Sequence, residues 1–247
     1  MIIVRHGEIY TKSPPVRRQF IAKLASNIKQ EIPDAKIVTK RWRILVYPKS
    51  EKKAIKKLRQ IFGIVSFSTA IETKADLDSI KKATEIFLPK LKNKTFAVRT
   101  QRLSKELMES QRINEIMGDF VRKKAKAKVN LDNPQVTLGI EIYDNKAYVF
   151  IDRFAGVGGL PLGTAGKMLL LKSKNDALAA WMIRKRGIEV ERKVKNPLGV
   201  VTGETSIEKF LKLKKKYKVP VYAPLIAFNK KELERLKKKA GFTSFSS

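Results

Sequence analysis

Apolar positions along the chain change period several times, and each change marks an element. Ile2–Val4 is an unbroken apolar run stopped by Gly7-Glu8, as expected of a short buried strand. From Val16 to Glu31 the period is helical, with Phe20, Leu24 and Ile28 on one face and Arg17, Arg18, Lys23 and Lys29 mostly away from it. Ala35–Thr39 and Arg43–Tyr47 read as a β-hairpin turning at Lys40-Arg41-Trp42. A second helix over Glu51–Ile61 turns Ile55, Leu58 and Ile61 inward, and a strand follows over Ile64–Thr73. The order βαββαβ is the split βαβ, ferredoxin-like pattern.

The pattern then starts afresh. Asp76–Leu91 reads as one helix with Leu77, Ile80, Phe87, Leu88 and Leu91 inward, and Thr95–Thr100 alternates as a strand. Ile113–Lys124 is a helix striped by Ile113, Ile116, Met117, Phe120 and Val121, and it runs into the basic stretch Arg122–Lys128. A turn at Val129–Pro134 precedes strands at Val136–Ile142 and Ala147–Arg153, which flank Asp144-Asn145.

Gly156–Lys167 (GVGGLPLGTAGK) breaks any continuing element. Met168–Leu171 is a short apolar run without alternation, as in a strand covered on both faces of a parallel sheet. Leu178, Trp181, Met182 and Lys185 then fall at helical spacing, and Gly187 stops the helix. Strand, tight loop and helix open a doubly wound nucleotide fold, which binds its ligand where the strand ends. The loop at that place is Lys172–Asp176. Further strands at Ile188–Glu191, Leu198–Val201 and Pro220–Tyr222, and helices at Ser206–Tyr217 and Lys230–Ala240, complete the domain. The terminal FTSFSS is polar and carries no assignable role.

Charge alters this picture. Lys plus Arg number 54 against 23 acidic residues in 247, a formal charge of +31. A thermophile surface would pair its lysines with glutamates, and here the acids are too few, so a polyanion, nucleic acid, is the expected partner. The excess is no tail: residues 1–164 hold 33 basic and 16 acidic residues, and residues 165–247 hold 21 and 7. Cysteine is absent, which excludes disulfides, thiolate metal sites and a Cys/His pair, and His6, the only histidine, lies in an apolar opening strand. No protein-bound metal is expected, and His6 reads as structural. No apolar run reaches the roughly 18 residues of a membrane span. MIIVRHGE is too short and too soon charged for a signal peptide. The expectation is a cytoplasmic chain with no membrane partner.

GLPLGTAGKMLLL, ALAAWMIRKRGIEVE, VTGET at Val201–Thr205 and PVYAPLIAFNKKEL at Pro220–Leu233 resemble the ATP-pyrophosphatase (PP-loop) domain of tRNA 4-thiouridine synthetases. That family also supplies sulfur for thiamine thiazole synthesis. VRHGEIYTK and RRQFIAKLASNIK are similar to the family's N-terminal ferredoxin-like domain. FAVRTQR at Phe96–Arg102, VNLDNPQV at Val129–Val136 and IEIYDNKAYVFIDR resemble a THUMP module, an RNA-binding unit of several tRNA-modifying enzymes.

The resemblance implies an α+β then α/β chain. Residues 1–73 would be a ferredoxin-like domain, 74–153 the THUMP module, 154–166 a Gly-rich connector, and 167–247 a shortened, degenerate, doubly wound PP-loop domain. It implies tRNA as partner and ATP with Mg²⁺ as cofactor, with a persulfide-donating protein and a homodimer as further partners. Leu171, Lys172, Ser173 and Gly203 stand where the family's nucleotide is held, largely by backbone. Arg99, Arg102, Arg122, Lys123, Lys124, Lys126 and Lys128 are the RNA-binding candidates, and Trp42 is a candidate for stacking on a base.

The chain departs from the family in four ways. The family's loop reads Ser-Gly-Gly-x-Asp-Ser, whose glycines let backbone N–H groups close around pyrophosphate. Here it is Lys172-Ser173-Lys174-Asn175-Asp176. The family's catalytic cysteine has no counterpart, and Lys212 stands near where it has a glutamine. Only Arg192–Pro197 fill a place where the family has a long segment. Two functional readings follow: a tRNA-binding relative with impaired or absent catalysis, and an active ATP-dependent sulfurtransferase whose persulfide donor and acceptor act in trans. A third is a non-specific RNA-binding protein.

Overall fold

A computed structural model describes residues 1–40, 42–104 and 107–241. Arg41 of the anticipated hairpin turn and the segment FTSFSS lie outside the described residues. Contacts divide the chain into two units: residues 1–5, 34–56 and 66–155 form the first, and 6–33, 57–65 and 156–247 the second.

β1 (Ile2–His6), α1 (Pro14–Glu31), β2 (Lys36–Thr39), β3 (Ile44–Tyr47), α2 (Glu51–Leu58) and β4 (Ile64–Thr69) follow in the order anticipated. With β10 (Phe154–Ala155) on its edge, the sheet runs β10-β4-β1-β3-β2, the strand order of a split βαβ. β3 pairs antiparallel with β1, Ile3 facing Leu45, and with β2, Val38 facing Leu45. Pro14 and Pro15 open α1, where a missing N–H costs nothing, and the helix buries Ile21, Leu24 and Ile28.

The run read as one strand from Ile64 to Thr73 divides at Ala70. β4 belongs to the first sheet, and β5 (Ile71–Lys74) opens a second, of order β5-β9-β8-β6-β7. The backbone N–H of Ala70 donates to the carbonyl of Met1 at 2.9 Å, which marks the switch between sheets. No Gly or Pro interrupts this stretch, so periodicity had nothing to report.

The single helix anticipated over Asp76–Leu91 is two, α3 (Leu77–Glu85) and α4 (Leu88–Leu91). Pro89 has no N–H to return to the preceding turn, and the helix cannot run through it. Asp76 caps α3, its carboxylate accepting from the N–H of Ser79 at 2.8 Å. β6 (Thr95–Arg102) lies parallel to β8 (Val136–Tyr143) and to the short β7 (Lys128–Val129), while β8 meets β9 (Lys146–Phe150) in an antiparallel hairpin. α5 (Ser110–Ala125) packs Ile113, Met117 and Val121 into a core with Phe96, Leu138 and Ile140.

A smaller core of the first unit, with Ile3, Leu45, Tyr143, Tyr148 and Phe150, surrounds a buried ionic triad. Glu141 on β8 accepts from Arg5 Nε at 2.5 Å and from Arg43 Nε at 2.6 Å, and all three side chains are buried. Arg5 also donates to Ser68 Oγ and lies over the ring of Phe150; Arg43 donates to Gln101 Oε1. Burial lowers the Arg5 pKa from its ordinary value, against the raising effect of Glu141.

The second unit contains a four-stranded, wholly parallel sheet of order β12-β11-β13-β14. Its strands are β11 (Lys167–Leu170), β12 (Glu189–Glu191), β13 (Val200–Val201) and β14 (Val221–Tyr222). α6 (Asp176–Arg184), α7 (Ile207–Lys216) and α8 (Lys230–Lys239) accompany it. Met168, Leu178, Ala179, Val190, Val201 and Leu225 form its core. α8 begins in a capping box, Asn229 and Glu232 each accepting the other's backbone N–H. Among the described residues no helix is long and apolar enough to cross a membrane.

Candidate functional site

Two regions hold the candidate residues, one in each unit. In the second unit three segments meet beyond the carboxyl ends of the parallel strands: 171–176 after β11, 192–197 after β12 and 202–206 after β13. In a parallel sheet this edge, where the strand order reverses, is where ligands bind.

Three donors of that edge are engaged within the protein. The N–H of Leu171 continues the ladder to Val201 O at 2.9 Å. The N–H of Ser173 donates to the Asp176 carboxylate at 3.3 Å, and the N–H of Gly203 to Ser173 Oγ at 2.9 Å. Asp176 stands in the first turn of α6, where the helix dipole favours an anion, and Arg192 Nη2 holds it at 2.5 Å. Burial raises the Asp176 carboxyl, but Arg192 and the N–H groups of Ser173 and Ala177 outweigh it and keep it below the usual carboxylate range. The Asp176 carboxylate, at the position where the family's loop also has an aspartate, is thus bonded within the loop and to Arg192. Side chains at 172–175 replace the glycines with which the family's loop closes around a phosphate.

Gly203 does more than end a strand. A Cβ there would lie 2.3 Å from the carbonyl carbon of Asn175, so the close approach of the two segments requires glycine. Lys172 and Lys174, by contrast, are exposed. Among the described residues no group of three or more His, Asp or Glu side chains could hold a metal ion.

The second unit also has a cleft of about 430 Å³, lined by Asn27, Gln30, Glu31, Phe62, Arg184, Glu189 and Glu191 among others. Its carboxylates are tied to lysines, Glu31 to Lys57 at 2.9 Å and Glu189 to Lys167 at 2.7 Å. None of the four nucleotide candidates lines it.

In the first unit the RNA candidates separate into two groups. Arg99, exposed on β6, donates to Leu131 O at 2.5 Å and so ties the 129–134 turn to the sheet. Arg102 is half-buried, its Nη1 on Leu107 O at 2.6 Å. Arg122 and Lys123 share Asp119, each at 2.6 Å, and hold its carboxyl below the usual range, Lys123 foremost.

Lys124, Lys126 and Lys128 are exposed and form no ion pair among the described residues. Lys126 ends α5 in the left-handed region at φ 51°. The N–H of Lys128 donates to Lys94 O at 3.1 Å where β7 joins β6, which sets Lys94 beside it and the exposed Lys92 two residues away. Sequence reasoning missed Lys92 and Lys94. The signal was the pairing of β7 with the start of β6, and a two-residue strand has no periodicity to announce it.

The chain is therefore a ferredoxin-like and THUMP protein carrying a parallel-sheet domain. Residues 1–68 match the ThiI ferredoxin-like domain and residues 74–152 the THUMP domain. A probable tRNA sulfurtransferase of Thermococcus kodakarensis is 34% identical over 97% of this chain and 66% of its own length. A crystal structure of a Pyrococcus horikoshii protein superposes with TM-score 0.85 at 28% identity, over 97% of this chain and 99% of that one. A 4-thiouridine synthetase–RNA complex with bound ATP has the same fold, with TM-score 0.80 at 24% identity, over 98% of this chain and 85% of that one.

The chain belongs to the tRNA 4-thiouridine synthetase family. It spans between about half and two thirds of the length of the first curated relatives it matches.

Proposed function

We propose that this chain is a tRNA-binding relative of the 4-thiouridine synthetases whose own ATP-dependent catalysis is impaired. The observation that carries the reading is the self-satisfied loop. Asp176 accepts from the N–H of Ser173 at the start of α6, and the N–H groups of Leu171 and Gly203 also bond within the protein. An adenylation needs such donors free and aimed at the phosphates. Binding of tRNA rests on the THUMP match and on the open lysine cluster formed by Lys92, Lys94, Lys124, Lys126 and Lys128. Arg99 adds to it with the guanidinium donors not spent on Leu131. Contacts of this kind position phosphates and read shape, as double-stranded RNA requires. The organisation proposed is 1–73, 74–153, 154–166 and 167–247, in a cytoplasmic protein.

The relative solved with RNA and ATP favours a second reading, an ATP- and Mg²⁺-dependent sulfurtransferase. It requires the 171–176 loop to open and a persulfide donor and acceptor, acting in trans, to supply the thiol that a chain without cysteine lacks.

Calorimetry of ATP with Mg²⁺, with and without unmodified bulk tRNA, followed by assay of AMP and pyrophosphate, separates the two. Salt-dependent tRNA binding without turnover is the expected result. Release of AMP and pyrophosphate would overturn it.

A further inference from the structure

The edge beyond the carboxyl ends of β11 and β12 is strongly basic. Lys172 and Lys174 project from the loop after β11, and Arg192, Lys193 and Lys195 from the segment after β12; all five are exposed. The Arg192–Asp176 contact at 2.5 Å fixes the two segments against each other, so the charges share one rim. Arg192 alone among them is neutralised. Lys172, Lys174, Lys193 and Lys195 form no ion pair among the described residues. Elsewhere the sheet's glutamates do pair with lysines: Lys167 lies 2.7 Å from Glu189 and 3.3 Å from Glu191, and Lys23 of α1 lies 3.7 Å from Glu189. Like charges gathered without counterions repel, and a polyanion relieves that cost.

We propose that this rim is a second RNA-binding surface, engaging the phosphodiester backbone of the tRNA through Lys172, Lys174, Lys193 and Lys195. The inference rests on the tRNA-binding reading and extends it to the second unit. A compact triphosphate needs convergent donors, and those here are spent on Asp176 and Ser173. A phosphodiester chain needs only cations spaced along a surface, since lysine binds phosphate as a point charge. The lysines at 172 and 174 are then contact residues in their own right, set in a loop where the family keeps small ones.

The test uses the full chain and unmodified bulk tRNA, with affinity followed by fluorescence anisotropy across a salt series. Three variants are compared: Lys172→Ser/Lys174→Ser/Lys193→Ser/Lys195→Ser, a first-unit variant with serine at 94, 124, 126 and 128, and a charge-matched control with serine at 230, 231, 238 and 239. The rim variant is expected to melt with the wild type. It should bind at least about tenfold more weakly at 0.15 M salt, with a log–log salt slope shallower by about 3, at roughly 0.7–0.9 per lost phosphate contact. Unchanged affinity and slope in the rim variant, with binding lost in the first-unit variant, overturns the rim and leaves the tRNA-binding reading standing. Equal losses in the rim variant and the control overturn the rim as well, because net charge alone would then account for them. Displacement of tRNA by millimolar Mg-ATP from wild type, but not from the rim variant, makes the rim a nucleotide site and overturns the proposal. Failure of the wild type to bind tRNA overturns both.

Discussion

The N–H of Gly203 donates to the hydroxyl of Ser173 at 2.9 Å, joining the turn after β13 to the loop after β11. Neighbouring parallel strands bring these segments side by side, and the missing Cβ lets them touch. The pair closes the loop from one flank while Arg192 closes it from the other.

Gly203→Ala should therefore disturb the loop backbone itself. The nearest obstacle is the carbonyl carbon of Asn175 at 2.3 Å, which cannot rotate aside. A loss of about 1–3 kcal/mol is expected, in the range of an overpacked core site. Ser173→Ala, which removes only the acceptor, should cost about 1 kcal/mol. Urea denaturation of both variants measures the difference, and equal midpoints would refute the close approach.

Asp176 makes part of the stability pH-dependent. Its carboxyl is held below the usual range in the folded protein, so its contribution is full above the unfolded carboxylate pKa. It is lost as pH falls through the lower folded value. Asp176→Asn should flatten the decline in stability below about pH 4 by lowering stability at neutral pH, by about 0.3–1 kcal/mol as for a helix-terminal charge, and leaving it nearly unchanged at pH 3. Thermal melts from pH 3 to pH 7 measure it. If the closed loop excludes phosphate, the same variant should bind inorganic pyrophosphate more tightly than wild type.

Glu141→Ala should be among the most damaging single substitutions. It leaves the guanidiniums of Arg5 and Arg43 buried without their shared anion. Losing one partner of a buried ionic group costs about 3–5 kcal/mol. Replacing all three together, Arg5→Met, Glu141→Leu and Arg43→Met, should restore most of that loss, because the desolvation of three charges disappears with them. Calorimetric melting of the two variants decides the point.

Lys126→Gly should separate stability from binding. Lys126 is held at φ 51°, a conformation that glycine adopts freely and lysine does not, so the change should stabilise by about 0.5–1 kcal/mol. If the open lysine cluster contacts phosphate, the same change should weaken tRNA binding and make its salt slope shallower by about 0.7–0.9. Lys123→Ser, whose ammonium is already engaged by Asp119, should weaken binding less.

Much of the architecture was legible because its elements are long or sharply bounded. The stripe Ile113, Met117 and Val121 marks α5, and the run Met168–Leu171 marks the central parallel strand, which spans Lys167–Leu170. Pro89 was visible in the sequence and should have ended α3, since a missing N–H is a local fact. The sheet switch at Ala70 was not visible, because the apolar run crosses it without a break.

The candidate site was legible only in its residue types. The loss of both loop glycines and the absence of cysteine can be read from the letters, because backbone freedom and thiol chemistry belong to single residues. The sequence likewise determined the basic surplus and the order of elements. Three things were decided by tertiary structure: that Asp176 would bond to Ser173 and Arg192, that Gly203 would close on Ser173, and that Glu141 would bind Arg5 and Arg43. Which lysines remained open and which were spent on Asp119 was settled there too. A hydrogen bond or ion pair forms between groups that distant segments bring within about 3 Å. No local pattern carries that distance.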